Sequence, residues 1–123
     1  MTVLLVLVGG ALGATLRYLT DLFVQSRHHT TFPWGTFAVN VVGSLTAGTT
    51  AGAISAGDGP EWVLTLVVTG FCGAFTTFSA FGFETVRMVE QGSLRAAALN
   101  TAANLVIGFA AAAGGWALAS VIV

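Results

Sequence analysis

Residues 70–84 read GFCGAFTTFSAFGFE and lie inside the third of four long apolar segments. The stretch is rich in glycine, β-branched threonine and phenylalanine at a place where a membrane helix should be most regular. Its segment, residues 62–89, is also longer than the roughly 20 residues of a simple span. We therefore predict a broken third helix; an ordinary glycine-containing helix is the alternative. Backbone groups freed by a break are tolerated in a membrane only where they line a cavity or bind an ion.

The composition indicates that the chain is surrounded by lipid. Of its 123 residues, 55% are hydrophobic and 7% are charged, whereas an average soluble domain has about 25% charged residues. Four apolar segments, at about residues 3–24, 34–56, 62–89 and 94–123, account for this length. We predict an all-α membrane protein with a single integral membrane domain, residues 1–123, and four transmembrane helices.

The charges exclude some functions and indicate an orientation. Four arginines nearly balance five acidic residues, so neither a nucleic-acid-binding surface nor a phosphate site is expected. If all four segments span, one side of the membrane receives Arg17, Arg27, Arg87 and Arg95. The positive-inside rule then predicts that these arginine-rich loops are cytoplasmic and that both termini lie outside.

Polar side chains recur inside the apolar segments at helical spacing. One stripe of the second segment consists of Thr36, Asn40, Gly43 and Ser44. Asn100 and Asn104 in the fourth segment are likewise four residues apart. An unpaired amide or hydroxyl in hydrocarbon is costly, so these groups need a partner, water or a ligand. Hydrogen bonding between helices and a polar pathway are both consistent with the pattern.

Carboxylates are nearly missing from the middle of the spans, which favours a passive pathway. Asp21 and Glu84 both fall toward helix ends on the arginine side, whereas a proton-coupled transporter normally needs a carboxylate in the membrane. A small multidrug-type proton-coupled exporter is therefore one alternative that residues 3–16 do not favour, because they carry no acid. A non-transporting membrane assembly subunit is the other, and it would need neither the polar stripe nor the break.

Three blocks resemble the signature of the Fluc (CrcB-type) fluoride channel family. They are GGALGATLRY at 9–18, GTFAVNVVGS at 35–44 and GFCGAFTTFSAF at 70–81. With four segments of matching length, the resemblance covers essentially the whole chain. It implies a fluoride-selective channel, not an enzyme, that exports fluoride passively across the cytoplasmic membrane and reduces fluoride toxicity. It also implies an antiparallel dimer with two pores and a structural Na⁺ at the dimer centre.

The resemblance assigns roles to particular residues. The fluoride pore would be lined by Asn40, Thr77, Phe78, Ser79 and Phe81, with Arg17 and Glu84 at the pore entrance, and the backbone carbonyls of Gly73 and Thr76 would hold sodium. For Glu84 the alternative is a solvated charge at a helix end. Fluoride is strongly hydrated, so amide and hydroxyl donors suit it, and the positive edges of phenylalanine rings would favour an anion without holding it tightly.

The chain departs from the family pattern at three positions. Ala80 stands where the family usually has threonine, and Asn100 and Asn104 stand where it more often has tyrosine and serine. The strong arginine bias also matters, because an antiparallel homodimer requires insertion in both orientations. We therefore expect a heterodimer with a paralogous subunit of opposite bias in preference to an antiparallel homodimer.

Overall fold

The computed structural model describes residues 1–57 and 59–123, and over these residues the chain contains helices and no β-strand. The helices are α1, Thr2–Arg27; α2, Trp34–Ser55; α3, which has a π-helical stretch Leu64–Cys72 followed by one turn Gly73–Phe75; α4, Phe78–Glu90; and α5, Leu94–Ile122. Four helical segments are long and apolar enough to cross a membrane, with α3 and α4 together forming the third, Leu64–Glu90. The prediction of an all-α protein with four such segments is confirmed.

Local sequence explains where several helices begin and end. Pro33 directly precedes α2, where its fixed φ suits a helix start, and its carbonyl accepts the Phe37 N–H at 3.0 Å. Between α4 and α5 the chain reverses at Gly92, whose φ of 78° is a conformation that glycine adopts without steric cost. The Ser93 N–H then bonds the Met88 carbonyl at 2.8 Å and closes the turn.

Glycines set the distance between helices in two pairs. α2 packs along α5 and α1 packs along α3. A Cβ on Gly48 would lie 2.8 Å from the Ala112 carbonyl carbon, and one on Gly9 would lie 2.8 Å from the Phe71 nitrogen. Real Cβ atoms do not come so close to backbone, so the helices can pack at this separation only because no side chain is present there.

The third segment breaks at two threonines, within the stretch 70–84 for which the sequence predicts a break. Thr76 and Thr77 are extended, with φ, ψ of −79°, 161° and −148°, 120°. The Thr77 hydroxyl accepts the Ala80 N–H at 3.1 Å and so caps the start of α4. The Thr77 N–H, which an uninterrupted α-helix would donate to the Gly73 carbonyl, instead goes to Asn40 on α2.

Candidate functional site at the broken helix

The Asn40 side chain binds both backbone groups of Thr77 at the break, and we call this pair of hydrogen bonds the Asn40 clamp. Its Oδ1 accepts the Thr77 N–H at 2.8 Å, and its Nδ2 donates to the Thr77 carbonyl at 3.1 Å. The amide thus satisfies both backbone groups of a residue that has left the helix, which is what a break inside a membrane requires. Gly43, one turn further along α2, allows the close approach, because a Cβ there would overlap Thr76 Cγ2.

One cavity of about 240 Å³ opens beside this clamp, and we call it the asparagine cavity. It is lined by Asn40, Ser44, Thr76, Thr77, Phe78, Phe81, Asn104 and Leu105. The rings of Phe78 and Phe81 are 5.7 Å apart and inclined by 54°. Phe78 is 82% exposed in the single chain, so this wall of the cavity faces outward from the helix bundle.

A second cavity of about 300 Å³ lies on the other side of the break, and we call it the arginine cavity. Its lining includes Arg17, Asp21, Thr36, Thr77, Ser79 and Glu84. Arg17 Nη1 lies 3.5 Å from the Thr76 carbonyl oxygen, which brings a positive charge to the break. The residues predicted for one pore and its entrance therefore fall into two cavities, which share Thr77.

Glu84 is partly buried at the edge of the arginine cavity. Its Oε1 accepts a hydrogen bond from the Thr36 hydroxyl at 2.8 Å, while its Oε2 is buried and has no hydrogen-bond partner among the described residues. This environment differs from that of a solvated charge at a helix end. A half-satisfied carboxylate inside a helix bundle is costly, which makes Glu84 a candidate functional residue.

The break also leaves two backbone carbonyls without their helical N–H donors, which bond Asn40 and the Thr77 hydroxyl instead. Gly73 is exposed and its carbonyl has lost the Thr77 N–H, while the Thr76 carbonyl has only the long contact to Arg17. These two oxygens are hard ligands of the kind that an alkali cation takes. Side-chain clusters suited to a transition metal, with three or more His, Cys, Asp or Glu, are not found in the described part of the chain.

Comparison with known proteins identifies the family. Residues 4–116 match the family model described as CrcB-like protein, Camphor Resistance (CrcB). The chain belongs to the CrcB family.

Relatives of this CrcB-family chain have names that state an activity. A protein of Frankia casuarinae named fluoride-specific ion channel FluC 1 is 52% identical over 99% of this chain and 98% of its own length. A protein of Streptomyces avermitilis with the same name is 50% identical over 94% of both chains. The fluoride-specific ion channel FluC of Maridesulfovibrio salexigens is 41% identical over 94% of this chain and 92% of its own. Together with its four apolar helices, these relatives identify this CrcB-family chain as a multi-pass membrane protein.

Two asparagines whose role the sequence left open belong to this site. Asn104 lines the asparagine cavity, and its Oδ1 accepts a hydrogen from Asn40 Nδ2 at 3.1 Å. Asn100, at 0% exposure, lies directly behind Asn104 and bonds it at 2.9 Å. In the sequence, only their spacing of four residues indicated a shared role, because it puts both amides on one face of α5. That the face meets Asn40 depends on how α2 packs on α5.

Proposed function

We propose that this chain forms a fluoride-selective channel that lets fluoride leave the cytoplasm passively and so reduces fluoride toxicity. The observation that carries the proposal is the Asn40 clamp on the broken helix, which borders a cavity with a phenylalanine wall. The names of relatives that are up to 52% identical over nearly the whole chain support it.

The chemistry of the asparagine cavity suits a small, strongly hydrated anion. Amide and hydroxyl hydrogens from Asn40, Ser44 and Thr77 replace part of the water that fluoride loses. Ring edges of Phe78 and Phe81 carry the positive part of the aromatic quadrupole and attract an anion weakly. Weak binding at several positions allows the ion to leave as well as to enter.

The arginine cavity supplies the entrance in this mechanism. Arg17 attracts the anion toward the break, and Thr77 and Ser79 add hydroxyls along the way. Glu84 opposes an anion and is held by Thr36 at the cavity edge. Net outward flow needs no coupled proton, because the membrane potential drives the anion out of the cell. This driving force is worth about 2.3 kcal/mol per charge per 100 mV.

A second subunit completes the pore in this proposal. Phe78 is 82% exposed and the asparagine cavity is open at the surface of the single chain. A large aromatic ring and a polar cavity on the outside of a bundle are both suited to burial by a partner. The resemblance implies an antiparallel dimer, and the arginine bias favours a paralogous partner of opposite bias over a second copy of this chain.

Sodium is proposed to bind the backbone carbonyls freed at the break. The Gly73 and Thr76 oxygens would hold Na⁺, and an antiparallel partner would contribute a second pair. The ion would neutralise carbonyl dipoles that converge at the subunit interface and so stabilise the dimer. Its role in the proposal is structural.

The proposed location is the cell membrane, with the arginine-rich loops in the cytoplasm. Arg27 ends α1, and Arg87 and Arg95 flank the α4–α5 turn, so three arginines lie at the same end of the helix bundle. Both termini then lie outside.

Fluoride efflux from liposomes, followed with a fluoride electrode, tests the pore assignment. Asn40→Asp puts a fixed negative charge about 4 Å from the ion, a cost of roughly 4 kcal/mol at a dielectric constant near 20. Flux should therefore fall about a thousandfold. Phe78→Ile should also lose flux because it removes the ring edge.

Phe109→Ile is the matched control, since Phe109 is 75% exposed on α5 and lines neither cavity. Wild-type flux in both Asn40→Asp and Phe78→Ile would remove the pore assignment. Flux that requires an imposed pH gradient would support the proton-coupled exporter instead, and no flux under any condition, with or without a paralogous subunit, would support the assembly subunit.

A further inference from the structure

Hydrogen bonds connect Asn40 to the far side of α4 through two residues of α5. Asn40 Nδ2 donates to Asn104 Oδ1 at 3.1 Å, and Asn104 Nδ2 donates to both the Oδ1 and the backbone carbonyl of Asn100 at 2.9 Å. Asn100 Nδ2 then donates to the Thr85 hydroxyl at 2.9 Å, and that hydroxyl donates to the Phe81 carbonyl at 2.7 Å. We call Asn40, Asn104 and Asn100 the amide relay.

The amide relay has one direction, which is fixed at its first member. The Thr77 N–H can only donate, so the atom of Asn40 that faces it must be the oxygen. The Asn40 NH₂ therefore faces Asn104, whose nearest atom must be an acceptor, and the same reasoning orients Asn100. At the other end, the Phe81 carbonyl can only accept, which agrees with this direction. Each amide thus determines the orientation of the next.

We propose that Asn104, supported by Asn100, is a positioning residue that sets the orientation of the Asn40 amide at the break and thereby the ion pathway. Asn40 donates one amide hydrogen to the Thr77 carbonyl and the other to Asn104 Oδ1. Without Asn104, the second hydrogen has no protein acceptor, and the side chain loses one of its three restraints. This inference rests on the proposed function where it concerns fluoride, but its structural part can be measured without flux.

The amide relay also controls how strongly Asn40 binds an anion. Because both hydrogens of its NH₂ are engaged, fluoride that enters the asparagine cavity must replace Asn104 Oδ1 as an acceptor. The anion therefore gains only the difference between two hydrogen bonds. Such an exchange keeps binding weak, as conduction requires.

Hydrogen–deuterium exchange of the full-length chain in detergent measures the structural part directly. In Asn104→Ala the Thr77 amide should exchange faster by about two- to tenfold, the effect of losing one modest hydrogen bond. Asn100→Ala should act in the same direction but less, because Asn104 still donates to a backbone carbonyl. The Ala80 amide, which bonds the Thr77 hydroxyl outside the relay, should not change.

Thr101→Ala is the matched control, since among the described residues the Thr101 hydroxyl on α5 bonds only the Ala97 carbonyl of its own helix. It should leave Thr77 exchange as in the wild type. Equal acceleration at Thr77 and Ala80 would indicate general loosening and overturn the proposal, as would wild-type exchange at Thr77 in Asn104→Ala. If Asn104→Ala does not fold, wild-type exchange in Asn100→Ala overturns it.

Fluoride efflux from liposomes tests the functional part. Asn104→Ala should change flux by about two- to tenfold relative to Thr101→Ala, the effect of about one hydrogen bond. Unchanged flux together with faster Thr77 exchange would overturn the link to the pathway. A wild-type chain that passes no fluoride, either alone or with a paralogous subunit, contradicts the proposed function, whereas the exchange result remains a separate measurement of the relay.

Discussion

The position of the Glu84 side chain depends on a single hydrogen-bond partner. Its Oε1 has the Thr36 hydroxyl at 2.8 Å and its Oε2 has no partner in the described chain. Thr36 is itself 6% exposed, so water does not readily replace it. The Glu84 carboxylate is therefore held in place by one hydroxyl from α2.

Thr36→Val removes that hydroxyl with little change in shape. The substitution should lower the free energy of unfolding by about 0.5–1.5 kcal/mol, the usual value of a hydrogen bond between membrane helices. Thermal unfolding in detergent measures it. Thr50→Val is the control on the same helix, because in the part of the chain that the structure describes the Thr50 hydroxyl bonds only the Thr46 carbonyl of α2. Equal transition temperatures for the two variants would contradict the role given to Thr36.

The stability of α4 depends on the side-chain cap at its start. The Thr77 hydroxyl accepts the Ala80 N–H at 3.1 Å and is the side-chain cap at the start of α4. Thr77→Ala should destabilise the protein by about 1 kcal/mol, whereas Thr77→Ser keeps the hydroxyl and should lose much less. Thermal unfolding of the two variants side by side measures the difference. A serine variant as unstable as the alanine variant would show that the methyl group, not the cap, matters.

The α2–α5 packing gives a prediction that depends on glycine. In Gly48→Ala the new Cβ would overlap the Ala112 backbone, so the two helices must move apart. We expect a loss of about 1–3 kcal/mol in the free energy of unfolding, as for other overpacked sites. Gly114→Ala is the control, because a Cβ there meets nothing within 4 Å. Thermal unfolding should separate the two, and similar transition temperatures would contradict the packing argument.

Hydropathy predicted the four apolar helices well, because a membrane span needs a long run of apolar residues and little else. The break was also predictable, since residues 70–84 combine glycine with β-branched residues. Its exact position at Thr76 and Thr77 was not, because it depends on Asn40 of another helix, which takes the Thr77 N–H. Likewise, Asn100 and Asn104 showed their common face but not their partners, which only the packing of α2 on α5 determines.

In the molecule as a whole, the distribution of arginine predicts how the chain is oriented in the membrane. Gln91 lies in the exposed turn between α4 and α5, beside Arg87 and Arg95. In a Cys72→Ala background, Gln91→Cys should react with a membrane-impermeant thiol reagent only after the cells are opened. Labelling of about half the molecules in intact cells would instead indicate insertion in both orientations. That result would favour an antiparallel homodimer over a paralogous partner.

The proposed function requires selective fluoride conduction by this chain, alone or with a paralogous subunit. The most direct measurement compares the release of fluoride and chloride from liposomes loaded with both potassium salts, with valinomycin added so that potassium carries the compensating charge. We expect rapid fluoride release and retention of chloride. Retention of fluoride with and without the partner subunit, or release of both halides at the same rate, would contradict it.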